Sequence, residues 1–323
     1  MSATENHHLP DEPVLHHRAL DDVTTDFFAD LHYERLARAK DIDSYDFPTL
    51  AKSKIPEVYE RIEQAERDLV APRLSKRDYD LGTATKDNDV AVFYGERPVL
   101  ITAEHATAHY RPDDNWVLQR KAPDVGTAGL GYALHLSTGA HFMTMRGRQY
   151  GDANFQEEHV FKDVMADLIV GRGITQVVSL HGMKAGKFSD FVDERAYDVL
   201  LGIGPHPHPA SIEAAERIEA IARRFDLRVA TNEWFVKVAD DDPLTLEVKP
   251  DGTIAFNSFH APYYTTRAWA QRVAEENGIE LAGVQVELSD LFRLLPRDVR
   301  RARRKRHIGT YVGYRVLQQA IES

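Results

Sequence analysis

Val177-Val-Ser-Leu-His181-Gly182 is an apolar, β-branched run that stops abruptly on a histidine and a glycine. Val99-Leu-Ile-Thr-Ala-Glu-His105 has the same build, and Gly283-Val-Gln-Val-Glu287-Leu ends its run on a carboxylate. Short continuous apolar runs of this kind read as strands buried on both faces. In an open α/β sheet, ligands bind in the crevice outside the carboxyl ends of the strands. His105, His181 and Glu287 are therefore expected to converge on one crevice from distant parts of the chain. Gly182 leaves room beside His181 for close approach of a ligand or another loop.

Outward from these runs, strand and helix signals alternate from about residue 90 onward. Strands are expected at about 90–94, 99–103, 141–144, 175–180, 199–203, 227–230 and 283–286, with helical patterns at about 124–137, 156–170, 209–225, 262–277 and 307–321. That alternation argues an α/β fold, a largely parallel mixed sheet covered by helices on both faces. A loop-rich insertion from about 232 to 260 is marked by the turns Asp240-Asp-Asp-Pro and Lys249-Pro-Asp-Gly252. The segment Gly126-Thr-Ala-Gly129-Leu-Gly131 is glycine-rich but lies inside a helical pattern.

The amino-terminal part reads differently. Residues 1 to about 20 are rich in His, Asp, Glu and Pro and are expected to be disordered. From about 23 to 70 the pattern is helical, with Ile55, Val58, Ile62, Ala65 and Leu69 on one face. Such a face docks on the main domain or on a partner subunit, which would give a homo-oligomer through these helices. The charged, turn-forming stretch Lys76 to Asp89 places a boundary between an extension (1–85) and a catalytic domain (86–323).

Composition removes several classes of function. The chain of 323 residues has no cysteine, so disulfides, thiolate ligands and a cysteine nucleophile are excluded. Any metal must be held by His, Asp or Glu, which suits zinc or another transition ion. A net charge of −11 argues against general nucleic-acid binding, and the basic stretch Arg297 to Arg306 reads as a solvated helix face. No apolar stretch approaches the ~20 residues of a membrane span, and no signal-peptide core is present, so a cytoplasmic protein with a small-molecule substrate is expected. Neither a Gly-x-Gly-x-x-Gly or Walker loop nor a Gly-x-Ser-x-Gly elbow occurs.

A second polar cluster follows the run at 141–144: Arg146-Gly-Arg148-Gln-Tyr-Gly-Asp152-Ala-Asn154-Phe155. Arginine grips carboxylates with a bidentate fork and stabilises a developing oxyanion. Asp152 is placed to hold an arginine or a histidine.

Taken together, Glu104-His105-Ala-Thr, Asp124-Val-Gly126, Arg148 with Asp152 and Asn154, Leu180-His181-Gly182 and Gln285-Val-Glu287-Leu288 resemble the N-formylglutamate amidohydrolase family. That family belongs to the wider zinc-carboxypeptidase-like group, and the resemblance spans residues from about 95 to 295. It implies one catalytic zinc ion, a three-layer α/β/α sheet and hydrolysis of an amide bond. His105 and His181 match the metal ligands, and Glu287 matches the general base. Arg148, with Arg146 beside it, matches the arginine before the Asp-x-Asn element, here Asp152 and Asn154. The third ligand is Asp124 or Glu104, Asp124 being favoured, because Ala108 stands where the group carries a glutamate. Phe155 stands where an arginine usually grips the substrate's carboxylate, so either Arg146, Arg148, Arg267 or Lys184 takes that part or the substrate lacks that carboxylate. His260, with Trp234 and Phe256 in the insertion, would shape the pocket. A zinc carboxypeptidase acting on peptides and a metal-free binding homologue stand as the alternative readings.

Overall fold

The computed structural model describes residues 49–70, 90–112, 118–146, 151–154, 156, 158–183, 198–204, 207–225, 227–231, 247–248, 254–255, 265–289, 292–293 and 303–323. Within them the chain runs α1 (Thr49–Val70), β1 (Val90–Phe93), β2 (Arg97–Ala103), β3 (His109–Pro112), β4 (Leu118–Lys121), α2 (Thr127–Thr138), β5 (Ala140–Met145) and α3 (Val160–Arg172). It continues with β6 (Gln176–Met183), β7 (Val199–Gly202), α4 (Pro209–Arg224), β8 (Val229–Thr231), β9 (Glu247–Val248), β10 (Ile254–Ala255), α5 (Thr266–Glu276), β11 (Ala282–Ser289) and α6 (Arg303–Glu322).

The expected sheet forms, with seven strands in the order β1-β5-β2-β6-β11-β7-β8. Strands β5, β2, β6 and β11 are parallel to one another. β1 and β7 pair antiparallel at either side of that block, and β8 follows β7 in parallel. The fold is thus α/β with a mixed, mostly parallel sheet. The carboxyl ends of β2, β6 and β11 lie side by side, in the register Thr102↔Ser179, Ser179↔Gln285 and His181↔Glu287.

Alternation along these strands sorts their side chains into two layers. Val99, Ile101, Val178, Leu180, Val284 and Val286 face α1, α2, α4 and α6 in one core. Leu100, Met143 and Val177 face α3 and α5 in the other. The second face is apolar near the start of the strands and turns polar near their ends, where Thr102, Ser179 and Gln285 are followed by His181 and Glu287. That change of character along one face is what locates the site.

The amino-terminal helix takes one of its two expected placements, against the main domain. Val58, Tyr59, Ile62, Leu69 and Val70 of α1 lie in the same core as the sheet, so this part of the extension belongs to the main domain. These described residues of its apolar face are covered within the chain. Gly129 allows the contact, since a Cβ there would fall 2.2 Å from the backbone oxygen of Ile62. Glu66 completes it by accepting from the amides of Gly126 (2.8 Å) and Gly129 (2.7 Å) at the start of α2. An acid at a helix N-terminus satisfies open amides and complements the helix dipole.

Two further two-stranded sheets form. β3 pairs with β4, and β9 pairs with β10, both antiparallel; the expected turn Lys249–Gly252 lies outside the described residues. Of the basic stretch only 303–306 falls on described backbone, at the start of α6. No helix among the described residues is long and apolar enough to cross a membrane.

Candidate metal centre

β2 ends at Ala103, and the chain turns immediately, so Glu104 and His105 escape the alternation that would send them to opposite faces. The carbonyl of His105 then accepts the amide of Asp124 at 2.8 Å, which joins two segments nineteen positions apart in sequence. Asp124 sits just before α2. Its Oδ2 lies 3.6 Å from His105 Nδ1 and 3.3 Å from His181 Nδ1. The ligand atoms of these three residues all lie within 4.8 Å of one another, a separation that suits one shared cation.

The far nitrogen of each imidazole is held by a different buried carboxylate. Asp152 Oδ1 lies 2.8 Å from His105 Nε2, and Glu104 Oε1 lies 3.1 Å from His181 Nε2. Glu104 is itself fixed by the hydroxyls of Thr102 (2.9 Å) and Ser179 (2.7 Å), and Asp152 accepts the Asn154 amide at 2.9 Å. Carboxylates on the outer nitrogen of a ligating histidine fix its tautomer and raise its basicity. Of the two carboxylates expected as third ligand, Asp124 faces the inner Nδ1 atoms, while Glu104 stands behind His181.

The electrostatics follow from this packing. Burial alone would raise the Glu104 carboxyl, but the neighbouring His181 and His105 and the Ser179 hydrogen bond carry it down to about 2. Burial would lower His105, yet Asp152 and Asp124 push it up to about 9. His181 is likewise raised well above the usual range, burial being outweighed by Glu104 and Asp124. Asp124 is held well below the usual carboxylate range by the same two imidazoles, against the effect of its burial. Three carboxylates thus demand positive charge between them. Two protonated imidazoles meet that demand, and so does one divalent ion with both rings neutral. The donor set fits a metal ion.

A second group, His105, His109 and Asp152, is also compact enough for a cation. There the imidazoles stack 4.0 Å apart at 9°, and each Nε2 reaches a different oxygen of Asp152, at 2.8 and 3.4 Å. That is the geometry of two hydrogen bonds to one carboxylate. Asp152 is fully buried, whereas the Asp124 side chain is 17% exposed, so the first group is the one open to solvent.

Glu287 stands beside His181 on the same face of the sheet, with its Oε1 held by Gln285 Nε2 at 3.2 Å. Arg293 ties the surroundings together. Its guanidinium donates to the carbonyls of Leu288 (3.2 Å), Met183 (3.2 Å) and Val125 (2.7 Å), at the ends of β11 and β6 and beside Asp124. The close approach expected at Gly182 is made by this guanidinium. Arg293, Gln285 and His109 were not among the sequence candidates.

The remaining candidates are placed as follows. Arg146 is half-buried just past β5, at the same edge of the sheet as the histidines. Asp152, expected to bind substrate or to hold an arginine or a histidine, lies buried against His105 and His109. Asn154, also expected to bind substrate, spends its Oδ1 on the amide of Thr266 (2.8 Å) and so fixes the start of α5. Arg267 lies on the face of β11 that carries Glu287, but toward the opposite end of that strand, against Gly283 and Gly204. Arg148, Phe155, Lys184, Trp234, Phe256 and His260 lie outside the described residues.

No family model and no curated protein matches the sequence. Among solved structures, the chain is similar to a gene product of Agrobacterium tumefaciens, with 15% identity, 73% of this chain and 95% of that chain covered, and a TM-score of 0.43. It is also similar to the bottromycin maturation enzyme BotP in complex with Mn, at 12% identity over 86% of this chain and 73% of that one, TM-score 0.37. A third is an aminopeptidase from the archaeon Desulfurococcus kamchatkensis, at 10% identity over 83% and 95% of the two chains, TM-score 0.36. Likeness this distant says nothing of chemistry, which rests on the side chains.

Proposed function

We propose that this protein is a metal-dependent hydrolase that cleaves an amide bond in a small N-acyl amino acid or related compound. One observation carries the reading. Two buried imidazoles turn their Nδ1 atoms toward Asp124, while separate carboxylates, Asp152 and Glu104, hold the outer nitrogens. A core histidine needs one satisfied hydrogen bond on each nitrogen; it does not need a second imidazole and a shared, partly exposed carboxylate.

His105, His181 and Asp124 would hold the ion, with zinc the natural choice for two nitrogens and one carboxylate oxygen. Such an ion supplies Lewis acidity, polarising a carbonyl and making water acidic near neutral pH. The chain's own residues do the rest. Glu287 lies next to His181 in register and is held in place by Gln285, so its carboxylate can take a proton from attacking water and return it to the leaving nitrogen. Arg146, with Arg148 two positions on, is assigned to the oxyanion; one such donor contributes about 3–4 kcal/mol to the transition state.

Metal analysis and an amidase assay on N-formyl and N-acetyl amino acids test this together. The purified protein should bind one zinc ion, lose activity to a chelator and regain it on reloading. Glu287→Gln should keep its zinc and lose on the order of 100- to 10,000-fold in turnover. Protein that holds no stoichiometric ion, or unchanged turnover in Glu287→Gln, overturns the proposal.

A further inference from the structure

Each imidazole of the candidate metal centre has a carboxylate behind it, and each carboxylate has buried support of its own. Glu104, behind His181, takes the hydroxyls of Thr102 and Ser179. Asp152, behind His105, is fully buried, and its Oδ1 takes two donors, His105 Nε2 at 2.8 Å and the Asn154 amide at 2.9 Å. Its Oδ2 faces His109 Nε2 at 3.4 Å. That is longer than an ideal hydrogen bond, but an ionised acceptor strengthens the contact.

The backbone places His109 there. It opens β3, opposite Lys121 of β4 in register, within the stretch of chain that separates His105 from Asp124. The amide of the next residue, Tyr110, donates to the carbonyl of Gly151 at 3.3 Å, which ties β3 to the residue before Asp152. The Asp152 amide donates in turn to Gln156 Oε1 at 3.1 Å, and the Asp152 carbonyl accepts the Gln156 amide at 2.8 Å.

The ring of His109 lies parallel to that of His105, 4.0 Å away at 9°, whereas His181 meets His105 edge-on at 80°. The parallel stack points both Nε2 atoms at one carboxylate, one to each oxygen. A ring buried only to fill space would be apolar, since a buried polar atom costs free energy unless it is hydrogen-bonded. His109 is 3% exposed and turns a nitrogen to Asp152. An ionised carboxylate only accepts, so both Nε2 atoms that face Asp152 carry protons. For His105 this leaves Nδ1 as the nitrogen that can ligate a metal.

We propose that His109 is a positioning residue of the metal centre: through its Nε2 proton it holds Asp152 Oδ2, and through Asp152 it holds the His105 ring with Nδ1 turned to the ion. The assignment rests on the reading of His105, His181 and Asp124 as ligands. It adds to that reading a histidine that touches neither ion nor substrate and sets how tightly the ion is held.

Competition with a chelator of known affinity tests it on the full-length protein. His109→Phe keeps a flat ring against His105 but has no proton to donate. It should bind zinc about 10- to 100-fold more weakly than the wild type, the usual loss for an outer hydrogen-bond partner. His109→Gln places an amide nitrogen at similar reach and should recover most of that loss. Loaded with cobalt(II), His109→Gln should reproduce the visible absorption bands of the wild type, and His109→Phe should shift them. A ring that only fills space would give neither difference. Wild-type zinc affinity in His109→Phe overturns the assignment, and so does a His109→Gln protein that binds no better than His109→Phe. In the zinc-loaded wild type, proton–nitrogen correlation spectra should find a proton on His109 Nε2; a proton on Nδ1 alone overturns the assignment without recourse to either variant. A wild type that binds zinc, with variants in this order, but hydrolyses no amide keeps His109 in its role and sinks the hydrolase. A wild type that takes up no stoichiometric ion overturns both.

Discussion

The guanidinium of Arg293 rests so closely on Gly182 that a Cβ there would fall 2.3 Å from Nε and 2.4 Å from Cζ. Gly182 follows a proposed metal ligand, and Arg293 binds the carbonyl of Val125, next to another. The two positions should therefore behave as one unit. Gly182→Ala is expected to destabilise the wild type by about 1–3 kcal/mol through overpacking. In an Arg293→Met background the same change should be nearly neutral, because the space is then open. A double-mutant cycle by urea denaturation should give a coupling of about 1 kcal/mol or more; strict additivity would show that the guanidinium is not seated there.

Asp124 and Glu104 both approach His181, at 3.3 and 3.1 Å, but from opposite ring nitrogens. Their substitutions should differ in kind. Asp124→Ala should remove stoichiometric zinc, since it deletes a ligand. Glu104→Gln should retain one ion per chain and weaken it about 10- to 100-fold, the usual effect of losing an outer hydrogen-bond partner. Competition with a chelator of known affinity measures both. A Glu104→Gln protein that cannot be loaded, beside an Asp124→Ala protein that can, would exchange the two roles.

Much of this arrangement was legible in the sequence because apolar runs that end on His105, His181 and Glu287 have few ways to fold. Three of the residues that escaped notice share one cause. Ser179 and Gln285 interrupt apolar runs, and Glu66 falls among the apolar positions of α1. Each was absorbed into the surrounding pattern, although a polar residue on a buried face needs a partner. Gln285 finds Glu287 two residues on, but the partners of Ser179 and Glu66, namely Glu104 and the start of α2, lie far away in sequence, and only the packed chain brings them together. Arg293 was hidden differently: it precedes a basic stretch, and its bonds go to carbonyls, which leave no trace in side-chain spacing.

Glu66 makes the amino-terminal helix part of the site's support, since it holds the amide of Gly126, two residues from Asp124. Glu66→Ala leaves two amides at the start of α2 without their acceptor and should destabilise the protein by about 3 kcal/mol. Glu66→Gln can still accept and should lose about half of that. Zinc affinity should fall in step with stability in this pair, because both changes loosen the segment that presents Asp124. Removal of residues 1–70 should leave a chain without a cooperative unfolding transition. A truncated protein with an unchanged urea midpoint would show that the helix is dispensable.

His159 supplies the clearest pH dependence away from the histidine pair. It begins α3, where its Nδ1 accepts the amide of Phe161 at 3.2 Å. Burial, then the charges of Lys162 and His105, lower it to about 4 against the opposing effect of Asp152. The folded form therefore binds its proton later than the unfolded chain as pH falls. Its contribution is fully present above about pH 6.5 and is lost between there and pH 4, as the unfolded chain takes up a proton that the folded one refuses. From an ordinary value of 6.5 to about 4, at about 1.36 kcal/mol per unit, the loss is roughly 3 kcal/mol. Asn caps helices well and does not titrate here. Urea midpoints measured from pH 7 to pH 4 should fall less steeply for His159→Asn than for the wild type, with the two proteins within about 1 kcal/mol of each other at pH 7. Parallel curves would mean that His159 keeps an ordinary proton affinity in the folded chain.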